Sequence, residues 1–183
     1  MVKSSSAKDF AKLKHRGQKR KDGKTPYWHH LNQVVDNLKK LGIKDQDVLC
    51  AGWLHDTIED TATDYDDLRE KFGKRVAVIV SQVTKDKRLP QKSREIAYLK
   101  QLKKASDEAK IVKLCDIVAN ISDLENSGYD NKKKARQIDD KMRYFAAITT
   151  TLSSNKKRLP GLGLLIDELN SQLVKYKKPQ IWI

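Results

Sequence analysis

An all-α fold is the expectation for this chain, and three observations carry it. Apolar residues recur at helical spacing nearly throughout, as in Leu31, Val34, Val35, Leu38 and Leu41. The segment richest in β-branched residues, Val76, Ile79, Val80 and Val83, is spaced by three, one and three, which suits a helix face better than a strand. Helix stops and caps, among them Gly42, Gly73 and Ser106, fall between the periodic segments. With 183 residues the chain is long enough for one well-cored domain and short for two. No internal repeat or linker divides it, so the expectation is a single bundle of roughly eight to ten helices spanning residues 1–183.

The elements follow in order. Ser6 is positioned to cap a first helix carrying Phe10 and Leu13, and Arg16 to Pro26, with two glycines and five basic residues, reads as a loop. A second helix runs through Leu31 to Leu41 and stops at Gly42. Asp45 or Asp47 caps a third, which carries Val48, Leu49 and Trp53 into His55-Asp56. Thr63 with Asp66 resembles a capping box, ahead of a face of Tyr65, Leu68 and Phe72 that ends at Gly73. After the Val76–Val83 helix, Lys85 to Lys92 reads as a basic loop containing Pro90. Ser93 is positioned to cap a helix with Ile96, Leu99 and Leu102, and Ser106 one with Ile111, Leu114, Cys115, Val118, Ile121 and Leu124. Helices around Ile138–Leu152 and Leu162–Tyr176 complete the chain.

Composition narrows the setting. No apolar run approaches membrane-spanning length, and the lysine- and serine-bearing N-terminus has no apolar stretch behind it, which argues against a signal peptide. Cys50 and Cys115 lie in apolar helical contexts and read as buried free thiols, so a reducing, cytoplasmic location is expected. The net charge of +14 favours polyanionic partners. Its lysines spread over helix faces without interleaved aromatics, which disfavours nucleic acid and leaves phosphorylated small molecules. The apolar tail Gln180-Ile181-Trp182-Ile183 either packs on the core or meets another subunit, making a homo-oligomer one possible partner.

The densest chemistry lies in Gly52-Trp53-Leu54-His55-Asp56-Thr57-Ile58-Glu59-Asp60-Thr61, an imidazole and three carboxylates issuing from apolar sequence. Burying ionised groups is costly unless a metal or substrate compensates them. Neighbouring helix positions point about 100° apart, so His55 and Asp56 suit one shared ion. Glu59 and Asp60 follow one turn along, where carboxylates orient and deprotonate water. Further ligands must come from elsewhere: His29, His30 and Asp116 are the candidates. Asp116 stands in an apolar helix and needs a partner, either a metal or a lysine such as Lys113. A mixed histidine and carboxylate set suits Mn²⁺ or Fe²⁺ better than tetrahedral structural zinc.

Six blocks in order complete this pattern. They are Ala11-x-x-x-His15-x-Gly17-Gln18-x-Arg20-Lys21-Asp22-Gly23, Thr25-Pro26-Tyr27-x-x-His30, Leu54 to Thr61, Phe72-Gly73-x-x-Val76, Val83-Thr84, and Lys113-Leu114-x-Asp116-x-x-x-Asn120. Over about residues 7–148 the chain resembles the HD hydrolase domain of the RelA/SpoT family, above all its small single-domain alarmone hydrolases; residues 149–183 would be a helical extension. The resemblance implies a Mn²⁺-dependent pyrophosphohydrolase that removes the 3′-diphosphate of (p)ppGpp. It further implies that His30, His55, Asp56 and Asp116 hold the metal, that Glu59 and Asp60 activate and place water, and that Arg20 and Lys21 meet the guanine and phosphate end. Asn120 would meet the ribose-phosphate region, while His29 aligns with a non-ligand position. The chain departs from the family pattern at Leu31 (usually proline), at Ile117 and Ser122 (usually basic) and at Gly52-Trp53. Lys85 and Lys87 are candidates to restore the missing charge. Two alternatives keep part of this reading: an HD-type phosphatase or nucleotidase on another phosphorylated nucleotide, and a non-catalytic nucleotide sensor.

Overall fold

The computed structural model describes residues 3–183. The described residues form helices joined by loops, with a single isolated antiparallel bridge between Lys19 and Pro26 in the first loop. The helices are α1 (Lys3–Lys14), α2 (Trp28–Lys40), α3 (Gln46–Leu54), α4 (Thr57–Asp60), α5 (Tyr65–Phe72), α6 (Lys74–Val83) and α7 (Gln91–Lys104). They continue with α8 (Asp107–Ser122), α9 (Asn131–Ser154), a 3-10 turn (Lys156–Arg158) and α10 (Leu162–Lys175). No helix is long and apolar enough to cross a membrane among these residues.

α8 lies at the centre. Its apolar positions, from Ala109 through Ile121, are buried on every face, as expected of a helix enclosed by others. α2, α3, α6, α9 and α10 pack around it, while α1 covers α3 and α7 packs on α9. The amphipathic stripe of α2, Leu31, Val34, Val35 and Leu38, faces this core, and buried Asn37 donates to the Cys115 carbonyl of α8 at 3.3 Å. α3 approaches α2 closely at Gly52, where a Cβ would lie 2.6 Å from Leu38 Cδ1 and 3.1 Å from Val35 Cγ2. Gly73, at φ +88°, turns the chain between α5 and α6.

Local chemistry explains where the helix starts differ from expectation. Asp45 caps α3, accepting from Asp47 N, and Ser106 caps α8, accepting from Ala109 N. The capping box of α5 is Asp64 with Asp67, not Thr63 with Asp66: each carboxylate accepts the other residue's backbone N–H, at 2.9 and 3.1 Å. Thr63 instead takes a hydrogen bond from the Thr61 hydroxyl at 2.9 Å. Ser6 and Ser93 lie inside their helices, because α1 already runs from Lys3 and α7 starts right after Pro90. On α1 the small residues Ala7 and Ala11 are buried and Leu13 is 63% exposed; on α7 Tyr98 and Leu102 are buried and Ile96 is 51% exposed. The tail turns back on α10, where the Asn170 side chain bonds both backbone groups of Ile181 and Trp182 remains 80% exposed.

Gly52→Val would force α3 away from α2. Overpacking of this kind costs about 1–3 kcal/mol, so the urea unfolding midpoint should fall with little change in slope; an unchanged midpoint would mean the two helices are not locked at this contact.

Candidate functional site

Three packed helices bring four distant side chains together. His30 lies in the first turn of α2, His55 and Asp56 follow the end of α3, and Asp116 stands in the middle of α8. The expected continuous helix through His55-Asp56 is interrupted: α3 ends at Leu54 and α4 begins at Thr57, with Asp56 at φ −102°, ψ −2°. The break aims both side chains into the same space. One ligand atom from each of His30, His55, Asp56 and Asp116 lies within 4.8 Å of all the others.

The spacing is that of donors around an ion. His30 Nε2 is 3.1 Å from Asp116 Oδ1 and 3.6 Å from Asp56 Oδ2. His55 Nε2 is 2.9 Å from Asp56 Oδ2 and 3.5 Å from Asp116 Oδ1. Adjacent donors each about 2.1 Å from a shared metal are separated by about 3.0–3.4 Å. The ring nitrogens confirm the fit. His55 Nδ1 bonds the Gly52 carbonyl at 2.8 Å, which directs Nε2 to the cluster. His55 Nε2 and both ring nitrogens of His30 are buried yet lack a hydrogen bond of acceptable geometry. Orphaned buried nitrogens facing carboxylates fit a divalent metal ion.

Electrostatics points the same way. Burial opposes charge on His55, but Asp56 and Asp116 outweigh it and push the imidazolium up to about 10. Burial also opposes ionisation of Asp56 and Asp116; His55 above all for Asp56, and Lys113 for Asp116, instead hold both carboxyls well below the usual range. The two carboxylates thus favour positive charge at His55.

Each carboxylate is also oriented from behind. Asp116 Oδ2 accepts from the buried Lys113 ammonium at 2.7 Å, leaving Oδ1 toward the histidines, where Asn120 Nδ2 donates to it at 2.5 Å. Both partners expected for Asp116 are thus compatible, one on each oxygen. Asp56 Oδ2 accepts from the Tyr27 hydroxyl at 2.7 Å. Tyr27 stacks on His15, whose Nδ1 contacts Gln18 Oε1 at 2.7 Å. Residue chemistry alone gave Tyr27 and His15 no roles; only their places in the ordered blocks marked them.

Glu59 and Asp60 lie on α4, beyond the ligand pair. Glu59 accepts from the Lys85 backbone N–H at 2.9 Å, and burial raises its pKa. Asp60 pairs with Lys87 at 2.5 Å, while its carbonyl accepts from Gln18 Nε2. On the opposite side, Arg20 donates Nε to Asp123 at 2.7 Å and Nη2 to Asn120 Oδ1 at 3.2 Å. Asn120 is therefore held at both ends, between Arg20 and the Asp116 carboxylate. Arg20 and Lys21 line a cleft of about 200 Å³ with Thr25, His29, Gln33 and Asp123. His29 is exposed and stacks on Trp28, apart from the cluster. Ile117 is fully buried in the core.

The fold and the buried histidine–aspartate cluster define a class, and comparison with known proteins agrees: residues 7–148 match the family described as HD domain, and the chain belongs to it. Similar proteins include the guanosine-3′,5′-bis(diphosphate) 3′-pyrophosphohydrolases MESH1 of Homo sapiens and Danio rerio. The human protein is 37% identical over 84% of this chain and 86% of its own, and the fish protein 44% identical over 90% and 88%. A solved structure described as a metazoan ortholog of SpoT that hydrolyzes ppGpp superposes with a TM-score of 0.81 at 30% identity, covering 94% of this chain and 96% of that one.

Lys113→Met would strip Asp116 of its buried partner. Removing one member of a buried ion pair costs about 3–5 kcal/mol, so the chelator-treated protein should unfold much more readily than wild type. Loss of the nearby ammonium leaves more of the carboxylate charge for a divalent ion to balance, so added Mn²⁺ should raise the variant's melting temperature more than the wild type's. A smaller rise, measured by calorimetry, would contradict this pairing.

Proposed function

We propose that the chain is a metal-dependent pyrophosphohydrolase that removes the 3′-diphosphate of (p)ppGpp, giving GDP or GTP and pyrophosphate. The observation that carries this reading is the cluster of buried His30, His55 and Asp116 with partly buried Asp56, and its unpartnered ring nitrogens, on a chain similar over most of its length to enzymes named for that reaction. Mn²⁺ is the ion proposed, held by those four residues, since the donors are mixed imidazole and carboxylate. When bound, it would supply Lewis acidity toward water and phosphoryl oxygen.

The chain's own residues divide the remaining work. Glu59, its proton affinity raised by burial and its carboxylate anchored on the Lys85 N–H, is the general base for the attacking water. Asp60 helps place that water from the rim, where Lys87 holds it. A bond forms from the water oxygen to phosphorus as the bond from phosphorus to the ribose 3′-oxygen breaks, and that oxygen takes up a proton. Lys113 and Tyr27 keep Asp116 and Asp56 fixed while charge shifts around them. Lys21 attracts the nucleotide at the cleft, Arg20 forms part of its wall, and Asn120 accepts a hydrogen bond from Arg20 that helps hold it there. Cys50 and Cys115, both free and buried, support a cytoplasmic setting.

The direct test is turnover of ppGpp by the purified protein with Mn²⁺, alongside Asp56→Ala. Pyrophosphate release that the substitution abolishes is expected; orthophosphate instead would point to a phosphatase, and no turnover would contradict the proposed substrate. The pH profile supplies a second test. Burial first, then Lys141 and Arg20, lower the Lys21 pKa to about 8. Its charge is present below that value and lost above it, so kcat/KM for an anionic nucleotide should fall as pH rises through about 8. Lys21→Arg should remove that limb; a limb that persists belongs to another group.

A further inference from the structure

Three ammonium groups gather around one aromatic ring beside the metal cluster. Lys85, Lys113 and Lys141 place Nζ 4.7, 5.3 and 5.6 Å from the ring centroid of Tyr144 on α9. Two of them are committed. Lys85 pairs with Glu95 at 2.9 Å and donates to the Tyr144 hydroxyl at 2.6 Å, while that hydroxyl also bonds Glu95. Lys113 is bound to Asp116. Lys141 is the third: half-buried, and without a hydrogen-bond or ion-pair partner among the described residues.

The charges acting on Lys141 are those of the centre itself. Burial and repulsion by Lys113 lower its pKa, Asp116 and Asp56 act in the opposite direction, and Lys85 adds to the repulsion. It also repels Lys21 of the first loop, so the two unpaired lysines share one electrostatic field from different elements, α9 and the α1–α2 loop. One divalent ion would balance Asp56 and Asp116, and Lys113, Lys141 and Lys21 then outnumber the one neighbouring carboxylate without a cationic side-chain partner among the described residues, Glu59. The lysines first suggested by the sequence to supply that charge are spoken for, Lys85 by Glu95 and Lys87 by Asp60. Position 117, an isoleucine, points into the core.

We propose that Lys141 is a substrate-binding residue that takes a phosphate group of the nucleotide from the α9 side of the metal centre. It restores the positive charge absent at Ile117 and Ser122. The inference rests on the phosphohydrolase reading for its substrate, and on the Tyr144 cluster for its geometry. A partly desolvated ammonium with no internal acid is well placed to bind a phosphate by charge-assisted hydrogen bonds.

The test uses the Mn²⁺-loaded full chain with Lys141→Gln and Lys141→Arg. Lys141→Gln should raise KM for ppGpp roughly tenfold, the size of one lost charge-assisted bond, with kcat within roughly twofold, and Lys141→Arg should recover most of the loss. Inhibition by the two products separates the phosphate groups: a weaker effect of pyrophosphate assigns Lys141 to the leaving diphosphate, and a weaker effect of GDP to the 5′-diphosphate. Unchanged KM and unchanged inhibition by both would overturn the proposal. So would a loss of bound Mn²⁺ or melting temperature that accounts for the change and that arginine does not repair. Should the wild type fail to turn over ppGpp, the substrate reading falls by itself. Calorimetric binding of inorganic pyrophosphate and of GDP then decides Lys141 separately: one of the two weakens in Lys141→Gln if the proposal is correct, and both remain unchanged if it is not.

Discussion

Two ionised carboxylates set against two buried histidines, Asp116 buried and Asp56 partly so, constrain everything else in this molecule. Such groups are costly to remove from water unless opposite charge accompanies them. The structure meets that cost with Lys113 behind Asp116, with Tyr27 on Asp56, and with a space between the imidazoles that fits a cation. The core around them is closed and well packed. The cluster is therefore held rigid by groups that have few alternative partners.

The helices are arranged to serve that cluster. α8 is enclosed by its neighbours and supplies Asp116, Lys113 and Asn120 from one stretch. Gly52 lets α3 sit close against α2, and its carbonyl fixes the orientation of the His55 ring. The break after Leu54 then allows α4 to carry Glu59 and Asp60 past the ligands to the Lys85–Lys87 loop. A hydrogen-bonded path runs from Asp123 through Arg20 and Asn120 to Asp116, so the cleft wall and the histidine–aspartate cluster are joined. Binding and chemistry share one framework.

Much of this was legible in the sequence, for identifiable reasons. Strong amphipathic stripes such as that of α2 report directly on a buried face, and the ordered polar blocks marked the four side chains that converge. The helix break at His55-Asp56 was hidden because apolar sequence runs up to it and no glycine or proline falls between Trp53 and Thr61. Spacing pointed to Thr63 with Asp66 as the capping box, but Asp64 next to it also offers an oxygen, and that carboxylate caps the helix through its reciprocal bond with Asp67. Leu13 and Ile96 fit helical spacing but lie outside the contacts made by α1 and α7. The contacts of Asn120 with Arg20 and Asp116 follow from the meeting of the first loop with α8, which residue spacing does not show. Lys141 looked like any surface lysine, since only the packing of α9 beside α8 reveals the Tyr144 cluster around it.

The central claim is that the four converging side chains form one metal centre. Crystals grown with Mn²⁺ and measured for its anomalous scattering test it most directly. One strong peak in contact with His30, His55, Asp56 and Asp116 together is expected. Density confined to surface carboxylates, with His30 and His55 bonded only to the aspartates, would contradict it.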